Sequence, residues 1–225
     1  TLEAAAGQLE GKFDVKAQVF AADLRRTDAP EQIFDFLHNE SIPIEVLVNN
    51  AGFGLGGEFS ETELQRELDM IQVNIGALTH LTKLFLPPMV RRRAGKVLNV
   101  ASTAAFQPGP LMAVYYATKA YVLSFSQALS EELRDTGVTV TALCPGPTQT
   151  DFADAAQMTN SRLFTTFGVA DADDVARYGV AAMMRGKRIA IPGIRNKVLA
   201  QANRLAPRAL TAKLARLAQE SRTTT

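Results

Sequence analysis

The sequence predicts an α/β fold, a doubly wound parallel sheet in a single domain, and three observations lead there. Short apolar runs at 16–22, 44–48, 96–101, 138–143 and 188–191 alternate with stretches whose apolar residues recur at helical spacing. The run Pro43–Val48 lacks the in–out alternation of a half-solvated strand, as expected of a parallel strand buried on both faces. Polar motifs follow the ends of these runs, where open α/β sheets bind their ligands.

Length and composition narrow the function classes. With 225 residues and an apolar share of 47%, the chain can bury a substantial core. A net charge of +1 gives no global attraction to nucleic acid or an anionic membrane. The single cysteine, Cys144, excludes an internal disulfide and sits in an apolar run, as a buried core thiol would. No run approaches the ~20 apolar residues of a membrane span and no signal peptide opens the chain, so a cytoplasmic protein is expected.

Taken in order, residues 1–12 carry Leu2, Ala5, Ala6 and Leu9 at helical spacing and stop at Gly11, like the last turns of a helix. Residues 16–22 read as a strand ending at Asp23-Leu24, followed by a helix over 29–39 with Ile33, Phe34 and Leu37 on its apolar face. The next strand ends at Asn49-Asn50-Ala51-Gly52, either a plain turn or a place where backbone and amides approach a ligand. A long helix over 61–90 follows, with Leu64, Leu68, Ile71, Ile75, Leu78, Leu81 and Leu84 on one stripe, stopping near Pro87-Pro88. Asn74 interrupts that stripe. A buried helical Asn needs partners, so it either binds backbone or holds a water.

Arg91-Arg92-Arg93-Ala94-Gly95 reads as a solvated basic turn before the strand that delivers Ser102. The helix over 114–135 has a small-residue face (Ala120, Ser124, Ala128) suited to close packing, and Gly137 ends it. The strand 138–143 runs into Pro145-Gly146-Pro147-Thr148-Gln149-Thr150. The segment 151–168, with Phe152, Met158, Leu163, Phe164 and Phe167 among small polar residues, reads either as a lid over a lipophilic ligand or as ordinary packing. A helix over 172–184 and a short strand at 188–191 complete the domain, which spans 1–194. The segment 195–225 is basic and amphipathic, broken at Pro207, and reads either as a helix docked on its own domain or as one lying on a membrane surface.

One pair of side chains stands out chemically. Tyr115 and Lys119 lie four residues apart at the start of the 114–135 helix, hence on one face. A free phenol ionises near ~10 and is a poor acid or base at neutral pH, whereas a neighbouring ammonium favours the phenolate. Ser102, thirteen residues before Tyr115, can hold the same substrate oxygen. A YxxxK spacing also arises by chance, with the Tyr packed and the Lys solvated.

Asp23-Leu24, Asn49-Asn50-Ala51-Gly52, Asn74, Ser102, Tyr115 with Lys119, then Pro145-Gly146 with Thr148 and Thr150 occur together and in one order. The set resembles the short-chain dehydrogenase/reductase family, over residues 1 to 192. The resemblance implies a Rossmann-like fold and an NAD(P)-dependent enzyme that interconverts a ketone or aldehyde and an alcohol by hydride transfer. By the same resemblance Tyr115 is the general acid/base, Lys119 binds the nicotinamide ribose and lowers the Tyr pKa, Ser102 holds the substrate oxygen, and Asn74 anchors a relay water. Tyr116 is a rival base, but its spacings to Lys119 and Ser102 are off the family pattern. Cofactor contacts map to Asp23 and Leu24 on the adenine side, to Asn49, Ala51 and Gly52 along the cofactor, to Tyr115 and Lys119, and to Pro145, Gly146, Thr148 and Thr150 at the nicotinamide amide. NADP is the expected cofactor, with NAD as the other choice, and no metal site is expected.

The chain departs from the family in one respect: no glycine triplet of the pyrophosphate turn precedes Asp23. The first strand–helix–strand unit is therefore expected to be absent, roughly 40 residues, since a strand with its helix alone occupies on the order of 30, leaving a gap in the sheet between 16–22 and 44–49. The expected partners are a small carbonyl or alcohol substrate, lipophilic if the lid reading holds, and a second or fourth copy of the chain paired through the 61–90 and 114–135 helices. Nucleic acid is not expected, and membrane contact through 195–225 is the lesser alternative. A non-catalytic cofactor-binding or membrane- or partner-binding protein on the same scaffold is the alternative function. Such proteins usually show a broken catalytic set, whereas here all four residues are present.

Overall fold

The computed structural model describes residues 1–150, 152, 156, 169–205 and 207–219. Its centre is a parallel sheet of four strands in the order β1 (Val46–Asn49), β2 (Gly95–Val100), β3 (Val138–Leu143) and β4 (Ile189–Ala190). Register runs Val46↔Lys96 to Asn49↔Asn99, then Gly95↔Val138 to Val100↔Leu143, and finally Leu143↔Ala190.

Consecutive residues of β2 show why both faces had to be apolar, since side chains alternate across a sheet. Val97 packs with Phe85, Met89, Leu133 and Val140 on one face. Leu98 packs with Val175, Ala182 and Met183 on the other. The helices that supply these residues follow the expected alternation. They are α1 (Leu2–Lys12), α2 (Ala29–Asn39), α3 (Leu64–Ile71), α4 (Leu78–Arg92), α5 (Ala113–Glu132), α6 (Ala172–Met184), α7 (Ile194–Leu205) and α8 (Arg208–Gln219). Helix α2 docks through Phe34 on Phe85 of α4, with ring centroids 5.2 Å apart.

Three elements differ from expectation. Residues 16–22 form no strand. A strand exists through the ladder it joins; in the sheet order that the resemblance implies, two further strands separate this segment from β1. Phe20 instead stacks on Phe36 of α2, centroids 4.8 Å apart. Strand β1 is thus an edge of the sheet among the described residues, and Val46 and Val48 stay nearly half exposed.

The helix at Pro87-Pro88 does not stop there. It runs on to Arg92 and ends at Arg93 in the left-handed conformation, φ 53° and ψ 31°. Proline's fixed φ suits a helix; what it removes is a donor, and the fully buried Met89 just beyond holds the next turn in the core. Thirdly, the expected 61–90 helix starts at Leu64 and is interrupted by a π-helical segment, Gln72–Ala77, between α3 and α4. The wider winding occurs where Asn74 enters the core.

Gly137, expected to end the 114–135 helix, has φ +82° and lies five residues beyond the end of α5 at Glu132. A side chain there would collide with the Arg93 carbonyl oxygen. Cys144 is fully buried and unpaired. Among the described residues no helix is long and apolar enough to cross a membrane, and no group of side chains is arranged to hold a metal ion.

Candidate active site

Strand β2 ends at Val100, and the chain then delivers Ser102, whose side chain caps the short 3₁₀ turn Thr103–Phe106 by accepting from the Ala104 amide at 3.1 Å. The Ser102 hydroxyl lies 3.5 Å from the Pro145 carbonyl, and the Thr103 amide donates to that carbonyl at 2.8 Å. Two strand ends are thus joined at the site, those of β2 and β3.

Tyr115 lies in the first turn of α5, is 8% exposed, and packs in an apolar cluster with Leu55, Met70, Ala104 and Met112. Its ring lies 5.2 Å from that of Phe152 and 5.8 Å from the Lys119 ammonium, centroid distances in both cases. Lys119, one turn on and equally buried, donates to the Val100 carbonyl at 2.8 Å. The spacing in sequence therefore does bring phenol and ammonium into one pocket above β2.

The electrostatics run against the simplest expectation. Burial pushes the Tyr115 phenol well above its ordinary range, with the Ser102 hydroxyl opposing and Tyr116 adding slightly. Burial pulls Lys119 down to about 8, with Cys144 opposing. Desolvation disfavours the charged form of each group. The ammonium sits over the phenol ring and is held by a carbonyl, so in the protein alone it does not bring the phenol toward neutral pH. Cys144, beside Ser102 and Lys119, is itself raised to about 12, chiefly by burial.

Asn74 adopts the backbone-binding alternative. Its Oδ1 accepts from the Phe53 amide at 3.1 Å, and its Nδ2 donates to the Phe53 carbonyl at 3.0 Å and to the Thr118 hydroxyl at 3.0 Å. Thr118 in turn donates to the Tyr115 carbonyl at 2.7 Å. The loop after β1 is thereby tied to the turn of α5 that carries Tyr115. Sequence reasoning missed Thr118, although its place inside the YxxxK turn is a signal of a kind. Gly52 completes the contact: a Cβ there would stand 2.9 Å from Asn74 Oδ1 and 3.4 Å from Lys119 Nζ.

The other expected contacts are more dispersed. The Asn49 amide donates to Thr82 at 3.0 Å and Asn99 at 2.8 Å, and Asn99 continues to Ser126 at 2.9 Å. Its side chain therefore binds β1 to β2 and α4, while Ala51 and Gly52 remain exposed at the strand end. The Asp23 carboxylate is forked by Arg25, 2.7 Å at the shortest contact, which lowers its pKa to about 2. Leu24 lies in the turn that follows. Gly146 packs against the side chain of Asn196 in α7, a contact not foreseen; Thr148 donates to the Gly146 carbonyl at 3.0 Å, and the Phe152 amide donates to Thr150 at 3.3 Å. Of the expected lid, Met158, Leu163, Phe164 and Phe167 lie outside the described residues, while Phe152 is present against Tyr115.

A family model described as short chain dehydrogenase matches residues 1–161. The chain belongs to this family. Among curated members, it is 36% identical over 152 residues to a very-long-chain 3-oxoacyl-CoA reductase of Homo sapiens, covering 64% of this chain and 47% of that one. It is 35% identical over 131 residues to the uncharacterized oxidoreductase YvrD of Bacillus subtilis, covering 58% and 49%. The chain thus spans about half the length of these curated relatives. Among solved structures, a short-chain dehydrogenase from Sphingobium yanoikuyae in complex with NADPH superposes with a TM-score of 0.79 at 29% identity, covering 90% of this chain and 80% of that one. As a short chain dehydrogenase, the chain has the expected Rossmann-like architecture, a parallel sheet with helices on both faces.

The described residues include polar and cationic groups of the kind that could hold the nicotinamide half of a dinucleotide. Lys119, Tyr115 and Gly52 lie together off the C-terminal ends of β1 and β2, where Gly52 leaves to Asn74 Oδ1 and Lys119 Nζ the room that a Cβ would take, and the Pro145–Thr150 loop follows the end of β3. A glycine-rich cradle for the pyrophosphate is not among the described residues.

Proposed function

We propose that this chain carries the catalytic half of an NAD(P)-dependent oxidoreductase interconverting a ketone or aldehyde and an alcohol. The observation that supports it is the convergence of Tyr115, Lys119 and Ser102 above one strand end, with Asn74 fixing the loop opposite. The bound nicotinamide supplies or accepts the hydride.

Every other role falls to the chain's own side chains. Ser102 orients the substrate oxygen by its hydroxyl, and Tyr115 gives that oxygen a proton in reduction or takes it in oxidation. Lys119 positions the cofactor ribose and, once polar ligand groups replace part of its dry surroundings, holds its charge near the phenol. Asn74 keeps the Phe53 loop in register with Tyr115. Asp23 and Leu24 would meet the adenine end, with Asn49 acting through its backbone, and Pro145, Gly146, Thr148 and Thr150 the nicotinamide amide. NADPH is the proposed reductant, after the similar Sphingobium protein that holds it.

The apolar cluster around Tyr115, closed by Phe152, suits a lipophilic carbonyl compound. Leu64, Leu68 and Ile71 form an exposed stripe on α3, consistent with pairing to a second copy there. The test is full-length protein with NADPH or NADH and a panel of carbonyl compounds, followed at the nicotinamide absorbance. Turnover that falls by about 10²-fold or more in Tyr115→Phe is expected; undiminished turnover in that variant ends the assignment.

A further inference from the structure

Among the described side chains of helices α7 and α8, the buried ones are the wrong ones for a pair docked only on their own domain. Among their described side chains, those packed inward are Ala200, Thr211, Ala215 and Gln219, each under 5% exposed. The large aliphatic ones face outward: Ile194 79%, Val198 62%, Leu199 47%, Leu214 57% and Leu217 52% exposed. Apolar surface gains from leaving water, and among the described side chains of these helices small and polar residues take the interior while these five aliphatics stay wet.

Charge shows what covers them. From Ile194 to Gln219 the sequence has six cations, Arg195, Lys197, Arg204, Arg208, Lys213 and Arg216, and no Asp or Glu. With 24 basic and 23 acidic residues in all, the rest of the chain has 18 against 23, a net −5 beside this +6. On α7, Ile194 and Val198 lie one turn apart with Lys197 and Arg195 beside them, and on α8 Leu214 and Leu217 lie one turn apart beside Lys213 and Arg216. Arg216 also reaches Glu58 at 3.2 Å, an exposed pair that leaves the local excess basic.

We propose that α7 and α8 are an interfacial anchor that lays this face on an anionic lipid surface. Aliphatic side chains at helical spacing among cations match the acyl boundary and anionic headgroups of such a surface. A two-fold contact between copies would instead set +6 against +6. The net −5 of the remainder turns the rest of the molecule away from the same membrane. Neither helix crosses the bilayer, in keeping with the absence of a spanning helix among the described residues. The anchor is independent of the proposed reaction.

The experiment is co-sedimentation of the full-length protein with phosphatidylcholine vesicles, with and without phosphatidylserine. Binding at least about tenfold stronger to the anionic vesicles, and lost at high salt, is expected. The double variants Ile194→Glu/Val198→Glu and Leu214→Glu/Leu217→Glu should each abolish it while leaving the circular dichroism unchanged, since all four side chains are exposed. No pelleting, or equal pelleting of wild type and variants, overturns the proposal. So does lipid-free self-association, or capture by an acidic protein, that the same variants remove without any vesicle binding in the wild type.

Discussion

The side chain of Asn74 and the backbone of Phe53 exchange two hydrogen bonds, 3.1 and 3.0 Å long, across 21 residues of sequence. That pairing joins the loop after β1 to the π-helical segment between α3 and α4, and through Thr118 to the turn holding Tyr115. Asn74→Leu keeps the volume and removes the partners, leaving the part-buried backbone groups of Phe53 without them at roughly 1 kcal/mol or more. A loss of about that size in urea unfolding is expected, together with a fall in kcat. A variant of wild-type stability would show the pair to be ornamental.

Lys119 makes stability depend on pH in a direction opposite to most ion-paired lysines. Its pKa is lowered in the fold to about 8 from 10.5, so the folded state sheds its proton first. Below about 8 both states are protonated and the full cost of burying the charge applies. Between about 8 and 10.5 the unfolded state binds more protons, and stability rises with pH by up to about 1.4 kcal/mol per unit. Tyr115 adds the opposite trend above its ordinary value of 10, since the fold retains the phenol proton there. Measured from pH 7 to 9.5, wild type should gain on Lys119→Met as pH rises; parallel curves would remove the effect from Lys119.

Gly137 cannot be replaced without strain. It adopts φ +82°, and a Cβ would meet the Arg93 carbonyl, a backbone atom that cannot swing aside. Gly137→Ala should cost more than about 1 kcal/mol, in contrast to Gly7→Ala in α1, where nothing lies within 4 Å. Thermal unfolding of the two variants side by side checks the contrast.

Phe152 fills the space between Gly54 and Tyr115: a Cβ on Gly54 would stand 2.7 Å from its ring. Phe152→Ala should open the cleft toward bulkier carbonyl compounds, lowering KM for them by about tenfold and changing little for small ones, as loss of one aromatic wall would. Equal effects on small and bulky substrates would place Phe152 outside the substrate path.

Much of this was legible in the sequence because it depends on local pattern. Residues 29–39 and 172–184 fold as helices where periodicity put them, and Ser102, Tyr115 and Lys119 meet because a strand end and one helical turn dictate it. What failed depends on partners far along the chain. Residues 16–22 have the composition of a strand, but strand character is completed by a neighbour, and among the described residues none pairs with this stretch. Pro87-Pro88 reads as a stop until the burial of Met89 is known. The direction of the Tyr115 shift was invisible for the same reason, since spacing tells that an ammonium is near and not that both groups are dry.

Strand β1 carries one more consequence. Its outer row of amides and carbonyls is unclaimed among the described residues, and the half-bare Val46 and Val48 flank that row with no proline or lysine to blunt it. Such a border is a template for accretion. Wherever that row is left unpaired it invites edge-to-edge association, and a Val48→Lys exchange, at a side chain 48% exposed, should weaken that association as read by light scattering.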